Sequence, residues 1–253
     1  LAGGRIRVED WFQPHAGIAF TLSPGAELFA GFTQVTRAYV ASATTGPFAT
    51  TQAGFDALLD GDTQLEPEAS DTYEVGGRFR SGPFTGSLAG YYVNFRNRIL
   101  AVTTSAGIIG NPAILQNVGD VRSLGFEATG DLRLGAGLGL FASYSYNDST
   151  YRDDVVSGTT VIPTAGKTVV DSPEHLLKGE VTYDHAGFIG RIGANYMSKR
   201  YFTYTNDQSV DGRVVAGGCG GGPAGVCGDL RGRDLRRRGR SRGVGGGRDG
   251  VAP

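Results

Sequence analysis

Residues 124–147 read LGFEATGDLRLGAGLGLFASYSYN. Leu124, Phe126, Ala128, Gly130, Leu132 and Leu134 alternate with Gly125, Glu127, Thr129, Asp131 and Arg133. After Gly135-Ala136-Gly137 the alternation resumes, with Leu138, Leu140, Ala142, Tyr144 and Tyr146 on one side. A side-chain period of two belongs to a strand, not a helix. Two such runs joined by a Gly-rich turn predict an antiparallel hairpin.

Working outward, the same grammar recurs. Ala16, Ile18, Phe20 and Leu22 share one face of a segment from His15. Tyr73, Val75, Gly77 and Phe79 oppose Glu74, Gly76, Arg78 and Arg80. Leu177, Gly179, Val181 and Tyr183 oppose Lys178, Glu180 and Thr182, and Phe188, Ile192, Ala194 and Tyr196 oppose Arg191 and Asn195. Two segments are mixed. Leu28, Ala30 and Phe32 face away from Phe29 and Val35. Ala89, Tyr91, Val93, Phe95 and Ile99 oppose Gly90, Tyr92, Asn94, Arg96 and Arg98, and Tyr92 is assigned to the interior. A further strand starts at Gly212-Arg213-Val214-Val215.

The connections alternate in length. Ser23-Pro24-Gly25, Ser81-Gly82-Pro83, Gly135-Ala136-Gly137 and His185-Ala186-Gly187 are tight turns. Ala38–Asp71, Ala101–Val121 and Arg152–Glu174 are long. Membrane barrels are built this way, with short periplasmic turns and long extracellular loops. The charges agree. Arg78, Arg80, Glu127, Asp131, Arg133, Lys178, Glu180 and Arg191 share the polar face. A dry core would make each cost several kcal/mol unless ideally paired; a wet lumen removes that cost. Tyr73, Tyr144, Tyr146, Tyr183, Tyr196 and Tyr201 suit the interfacial girdles. The expected fold is all-β, an antiparallel transmembrane β-barrel segment of about eight to nine strands.

Composition limits the alternatives. The chain has 253 residues, with 42 Gly, 10% aromatic and 40% hydrophobic residues. No run of eighteen apolar residues occurs, so a helical membrane span is excluded. The net charge of −1 hides an asymmetry: the body through Val215 is mildly acidic, which argues against nucleic acid as a partner. The sequence opens at Leu1 without an initiator Met, basic region or apolar signal core, so a fragment of an exported protein is expected. The division expected is residues 1–215 as barrel and 216–253 as a disordered Gly/Arg-rich tail. That tail holds fourteen Gly, eight Arg and no aromatic residue. Its RGRDLRRRGRSR string over residues 231–242 resembles GC-rich coding sequence in a shifted frame, so a frameshift near Ala216 is expected. A basic arm for RNA or anionic lipid is the other reading, disfavoured because a barrel strand is due there. Cys219 and Cys227 are too widely spaced for a common zinc knuckle and have no His nearby. They are read as accidental.

Chemistry-bearing patterns are sparse. His15, His175 and His185 lack partners at metal-ligand spacing. No nucleophile elbow occurs, and the Gly135–Gly139 string precedes no helix, so neither hydrolase nor dinucleotide chemistry is indicated. Asp60-Gly61-Asp62 and Asp153-Asp154 are read as solvated loop charge rather than calcium sites. No catalytic, metal or cofactor residue is assigned, and no substrate-binding residue is fixed. The loop and upper-lumen residues best suited to cargo are Tyr39, Phe48, Phe55, Tyr151 and Arg152, because a large ligand needs aromatic and cationic contacts.

The ordered motifs resemble the C-terminal barrel of TonB-dependent receptors. Pro14-His15-Ala16-Gly17-Ile18 followed by Ala26–Phe32 resembles its paired strands before a large loop. Leu65-Glu66-Pro67-Glu68, Thr72–Gly76, Phe95–Ile99, Asn117-Val118-Gly119, Ser123–Glu127, Gly166-Lys167 and Ser172–His175 then follow in family order. The resemblance covers most of Pro14–Arg213. It implies a barrel of about 22 strands with a plugged lumen. It also implies outer-membrane lipid as surroundings, monomeric transport, a TonB–ExbB–ExbD energy source acting on the intact parent, and an extracellular ligand such as a ferric siderophore. The family's plug, TonB box and closing strands are not matched here. A small self-contained barrel with an adhesive or structural role is the alternative; an enzyme is not expected.

Overall fold

The structure, a computed structural model, describes residues 9–37, 67–103, 113–117, 119–157, 160–221 and 226–228. Its strands are β1 (His15–Ser23), β2 (Ala26–Arg37), β3 (Glu68–Ser81), β4 (Phe84–Arg96), β5 (Ile99–Thr103), β6 (Ala113–Asn117), β7 (Val121–Gly135) and β8 (Leu138–Tyr151). Then come β9 (Val155–Ser157), β10 (Thr160–Ile162), β11 (His175–His185), β12 (Phe188–Met197), β13 (Arg200–Tyr201), β14 (Ser209–Val210), β15 (Arg213–Gly221) and β16 (Val226–Gly228). Ten of these form one sheet in the order β1-β2-β3-β4-β7-β8-β11-β12-β15-β16. β5–β6, β9–β10 and β13–β14 are separate two-stranded hairpins between the long strands. Every pairing in the large sheet is antiparallel. β1 and β16 lie at its two edges, so the described wall is open. A self-contained barrel would join them.

The turns face one end. At Ala186-Gly187 both residues have positive φ, 52° and 80°, the backbone of an I′ hairpin turn. Ala136 and Gly137, at 47° and 79°, repeat it. A Cβ on Gly137 would meet the carbonyl of Asp184, so glycine is required there for space as well as angle. β3, β4, β7 and β8 have 14, 13, 15 and 14 residues. A tilted span needs only about 9–11 residues, so these strands project beyond the bilayer at the loop end.

Register separates the faces. Leu132 pairs with Leu140, Leu140 with Val181 and Val181 with Ile192, making one apolar row across four strands. Val181 and Ile192 are exposed, as a lipid-facing row requires. Nearer the loop end the outward face carries rings in contact. Phe32–Tyr73 and Tyr73–Tyr92 centroids lie 5.0 and 6.3 Å apart, and Phe126 lies 5.5 Å from Tyr144 and 5.9 Å from Tyr146. Tyr144 also donates to, or accepts from, His175 Nδ1 at 2.8 Å. On the inward face Arg78 reaches Glu27 at 2.6 Å, Arg191 reaches Glu180 at 3.3 Å and Arg133 reaches Asp131 at 3.8 Å. The charged interior is therefore observed.

One expectation changes. Tyr92 faces outward, not inward: it pairs with Leu124 and its ring meets Tyr73. Tyr91 takes the lumen side, over Gly125, and donates to Asn147 Oδ1 at 3.1 Å. Only a glycine on β7 leaves room for that ring. The boundary at residue 215 falls inside β15, which pairs with β12 from Arg213↔Met197 through Gly221↔Ile189. Backbone hydrogen bonds need no side-chain pattern, so a glycine-rich stretch can still complete a ladder. Residues 229–253 lie outside the described ones.

Candidate ligand-facing site

The loop end has its own core. Val121 and Tyr151 are 0% and 1% exposed and pack with Val155 and Val169. Phe95, Ile162 and Tyr204 complete the cluster. Val121 and Tyr151 are directly paired across β7 and β8, on the lumen side. Phe95 comes from the end of β4, and the other members come from the connections between β8 and β11 and between β12 and β15. Thr164 is fully buried. Its hydroxyl accepts from the Val155 amide at 2.9 Å and donates to the Asp153 carbonyl at 2.8 Å. Asn206 accepts from the Thr168 amide at 2.7 Å and donates to the Thr168 carbonyl at 2.9 Å. Arg200 and Asp171 make an ion pair at 2.6 Å. Two loops far apart in sequence are thus one packed unit standing on the ends of β7 and β8. Burial, with Tyr151 beside it, pushes the Tyr204 phenol up to about 12. Asp207 is exposed, and hydrogen bonds from Thr203 and Thr205 hold its carboxyl below the usual carboxylate range.

Two concavities lie on the wall. On the lumen face, a cavity of about 450 Å³ is lined by Glu127, Thr129, Ser143, Ser145, Lys178, Asn195 and Arg213, among others. Leu176, Leu177, Tyr196 and Met197 also line it, so its surface is mostly apolar, with charges of both signs at Glu127, Lys178 and Arg213. The second, about 410 Å³, lies on the outer side above the aromatic band. Asp71, Tyr73, Tyr92, Asn94, Asp120, Arg152 and Asp153 line it.

Of the residues marked for cargo, Tyr39, Phe48 and Phe55 lie outside the described residues. Tyr151 is buried in the loop core and presents no ring to a ligand. Arg152 is exposed, but it lines the outer concavity instead of the upper lumen. Asp60 and Asp62 are also outside the description. Asp153 and Asp154 accept from the Asp120 and Ala165 amides at 2.7 and 2.9 Å, so they brace loop backbone. Among the described residues, no group of three or more His, Cys, Asp and Glu is placed to hold a metal. The lumen cavity was not singled out from the sequence. Its signal in the sequence is the pair of small polar residues Ser143 and Ser145 at alternate positions of β8.

The wall is ten-stranded and antiparallel, with tight turns at one end, folded loops at the other and an ionic inner face. The family model for the TonB dependent receptor-like beta-barrel matches residues 2–217. The chain belongs to the TonB-dependent receptor family. These receptors are transporters rather than enzymes, and their barrels are characteristic of the Gram-negative outer membrane. No curated protein matches the chain. Among solved structures it is similar to the siderophore receptor PiuA from Acinetobacter baumannii, at TM-score 0.63 and 16% identity, over 82% of this chain and 29% of that one. It is similar to the ferric citrate transporter FecA in its unliganded form, at TM-score 0.61 and 20% identity, over 82% and 30%. The copper transporter OprC gives 0.62 and 16%, over 82% and 31%. At these identities the likeness shows the TonB-dependent receptor fold. The chain spans under a third of each of these receptors.

Proposed function

We propose that this chain forms part of the wall and extracellular loops of an outer-membrane importer for a scarce nutrient, with a ferric siderophore as the leading substrate class. The observation that carries the reading is the asymmetry of the wall. Its inner face is lined with paired charges, and its loop end is a packed platform able to hold a ligand. In this reading the lumen cavity at Glu127, Lys178 and Arg213 meets cargo or an internal domain, and the TonB–ExbB–ExbD complex supplies energy to the whole receptor.

The test uses the receptor that contains this segment, expressed in a Gram-negative strain deleted for its own siderophore receptors. Growth under iron limitation is scored on a panel of ferric chelates, with and without TonB. Growth on at least one chelate, lost without TonB, is expected. TonB-independent growth, or no uptake of any chelate by correctly inserted protein, would remove the reading.

A further inference from the structure

The chain has two cysteines. The structure places them directly across from each other: Cys219 of β15 is the register partner of Cys227 of β16. The family match ends at residue 217, so neither residue is covered by it. Cys219 is half-buried and carries a free thiol.

We propose that Cys219 and Cys227 are a cross-strand disulfide site that staples β16 to the wall. Directly opposed residues of an antiparallel pair share a face, with Cα atoms about 4.5–5.5 Å apart. A disulfide needs Cα atoms about 4.4–6.8 Å and Cβ atoms about 3.5–4.5 Å apart; both kinds of opposed pair meet the first, and the closer, non-hydrogen-bonded kind reaches the second. The local sequence also calls for a staple. β15 and β16 share only three register pairs, Gly218↔Gly228, Cys219↔Cys227 and Gly220↔Val226. Three of those six residues are glycine, which loses the most backbone freedom on folding and packs no side chain. The β15–β16 ladder is the weakest in the sheet by composition and length, and it alone holds opposed cysteines. An exported protein meets an oxidising compartment, where such bonds persist.

The chemistry is thiol–disulfide exchange. One cysteine, as thiolate, attacks a disulfide-bearing oxidant and releases one of its sulfurs as a thiol. The second thiolate then displaces the remaining sulfur. Both cysteine protons are lost, the oxidant's S–S bond is reduced to two thiols, and one protein S–S bond is formed.

For the test, the full chain is folded in detergent micelles and equilibrated with mixtures of oxidised and reduced glutathione. It is then acid-quenched, alkylated in denaturant without reductant, and weighed by mass spectrometry. Two references separate strand pairing from mere closeness in sequence: the same chain equilibrated in denaturant, and the double variant Cys227→Gly with Gly228→Cys, which moves the thiol off the register position. Cross-linking constants at least about tenfold higher for the folded native sequence than for either reference are expected. Equal constants, free alkylation of both thiols, or linkage only between chains would overturn the proposal. None of these outcomes bears on the transport reading, because the wall's family match excludes both residues.

Discussion

The two ends of this wall solve burial in opposite ways. At the turn end and through the span, large apolar side chains stay exposed: Ile18, Val75, Phe188 and Ile192 are all more than 60% accessible. At the loop end, Val121, Tyr151, Val155 and Val169 are nearly sealed. In a water-soluble sheet the core would lie under the strands. Here lipid is the solvent for the strands, so apolar exposure costs nothing there. The loops stand in water and must build a core of their own. Membrane wall and loop platform are therefore two separately stabilised regions of one chain.

The largest effect should come from opening the loop core. Tyr151→Ala removes a fully buried ring, and aromatic-to-alanine changes in cores cost about 3–5 kcal/mol. Limited proteolysis should show rapid cleavage within residues 152–174, while the β-sheet infrared signal in detergent is retained. Loss of both together would mean that wall and loops are a single cooperative unit. On the wall, Val181→Arg should destabilise the folded state in lipid vesicles by about 2–4 kcal/mol, the usual cost of an arginine near the midplane of the lipid face. Its neighbour Thr182 points into the lumen, so Thr182→Arg should be near neutral in the same denaturant titration. Equal costs would refute the face assignment.

A pH effect should be confined to the loops. Tyr204 holds its proton to about 12 when folded, against 10.0 in the unfolded chain. Between these values the unfolded state has released a proton that the folded state keeps, so folding loses stability as pH rises through this window and is unaffected below it. Protease protection of residues 198–212 should fall between pH 10 and 12, with Tyr204 among the tyrosines that absorb late in an ultraviolet titration, as burial also raises Tyr151 beside it. A titration in which every tyrosine ionises together would place Tyr204 in water. The smallest change is at a turn. Ala186 sits at φ 52°, where an L-residue is strained. Ala186→Gly should raise stability by up to about 1 kcal/mol, the relief being partly offset by glycine's extra freedom in the unfolded chain. A measured loss would show that the turn is not in the left-handed region.

Much of the wall was legible residue by residue. Leu124–Leu134 and Leu138–Asn147 alternate so regularly that strand, turn and face all follow. β4 resisted, because Tyr91 and Tyr92 put a large ring on each side. What settles it is Gly125 on the neighbouring strand, which no local window contains. The ligand-facing end was harder still. Tyr151 looked available for cargo, and it is sealed by Val155, Val169 and Tyr204, which arrive from two different connections. Arg152, one residue on, follows the pleat to the other side of the wall. At the far edge, Ala216–Gly221 has the composition of a tail, yet its backbone completes a ladder with β12.

The sequence by itself determined the strands, the turn-and-loop alternation and the polarity of the two faces, because the pleat is a local property with a period of two. Only the tertiary structure decided which ring fills the lumen, which loop residues are sealed, and that Cys219 is the register partner of Cys227. Those depend on register and on contacts between segments distant in the chain, where the partner's size and position choose the outcome.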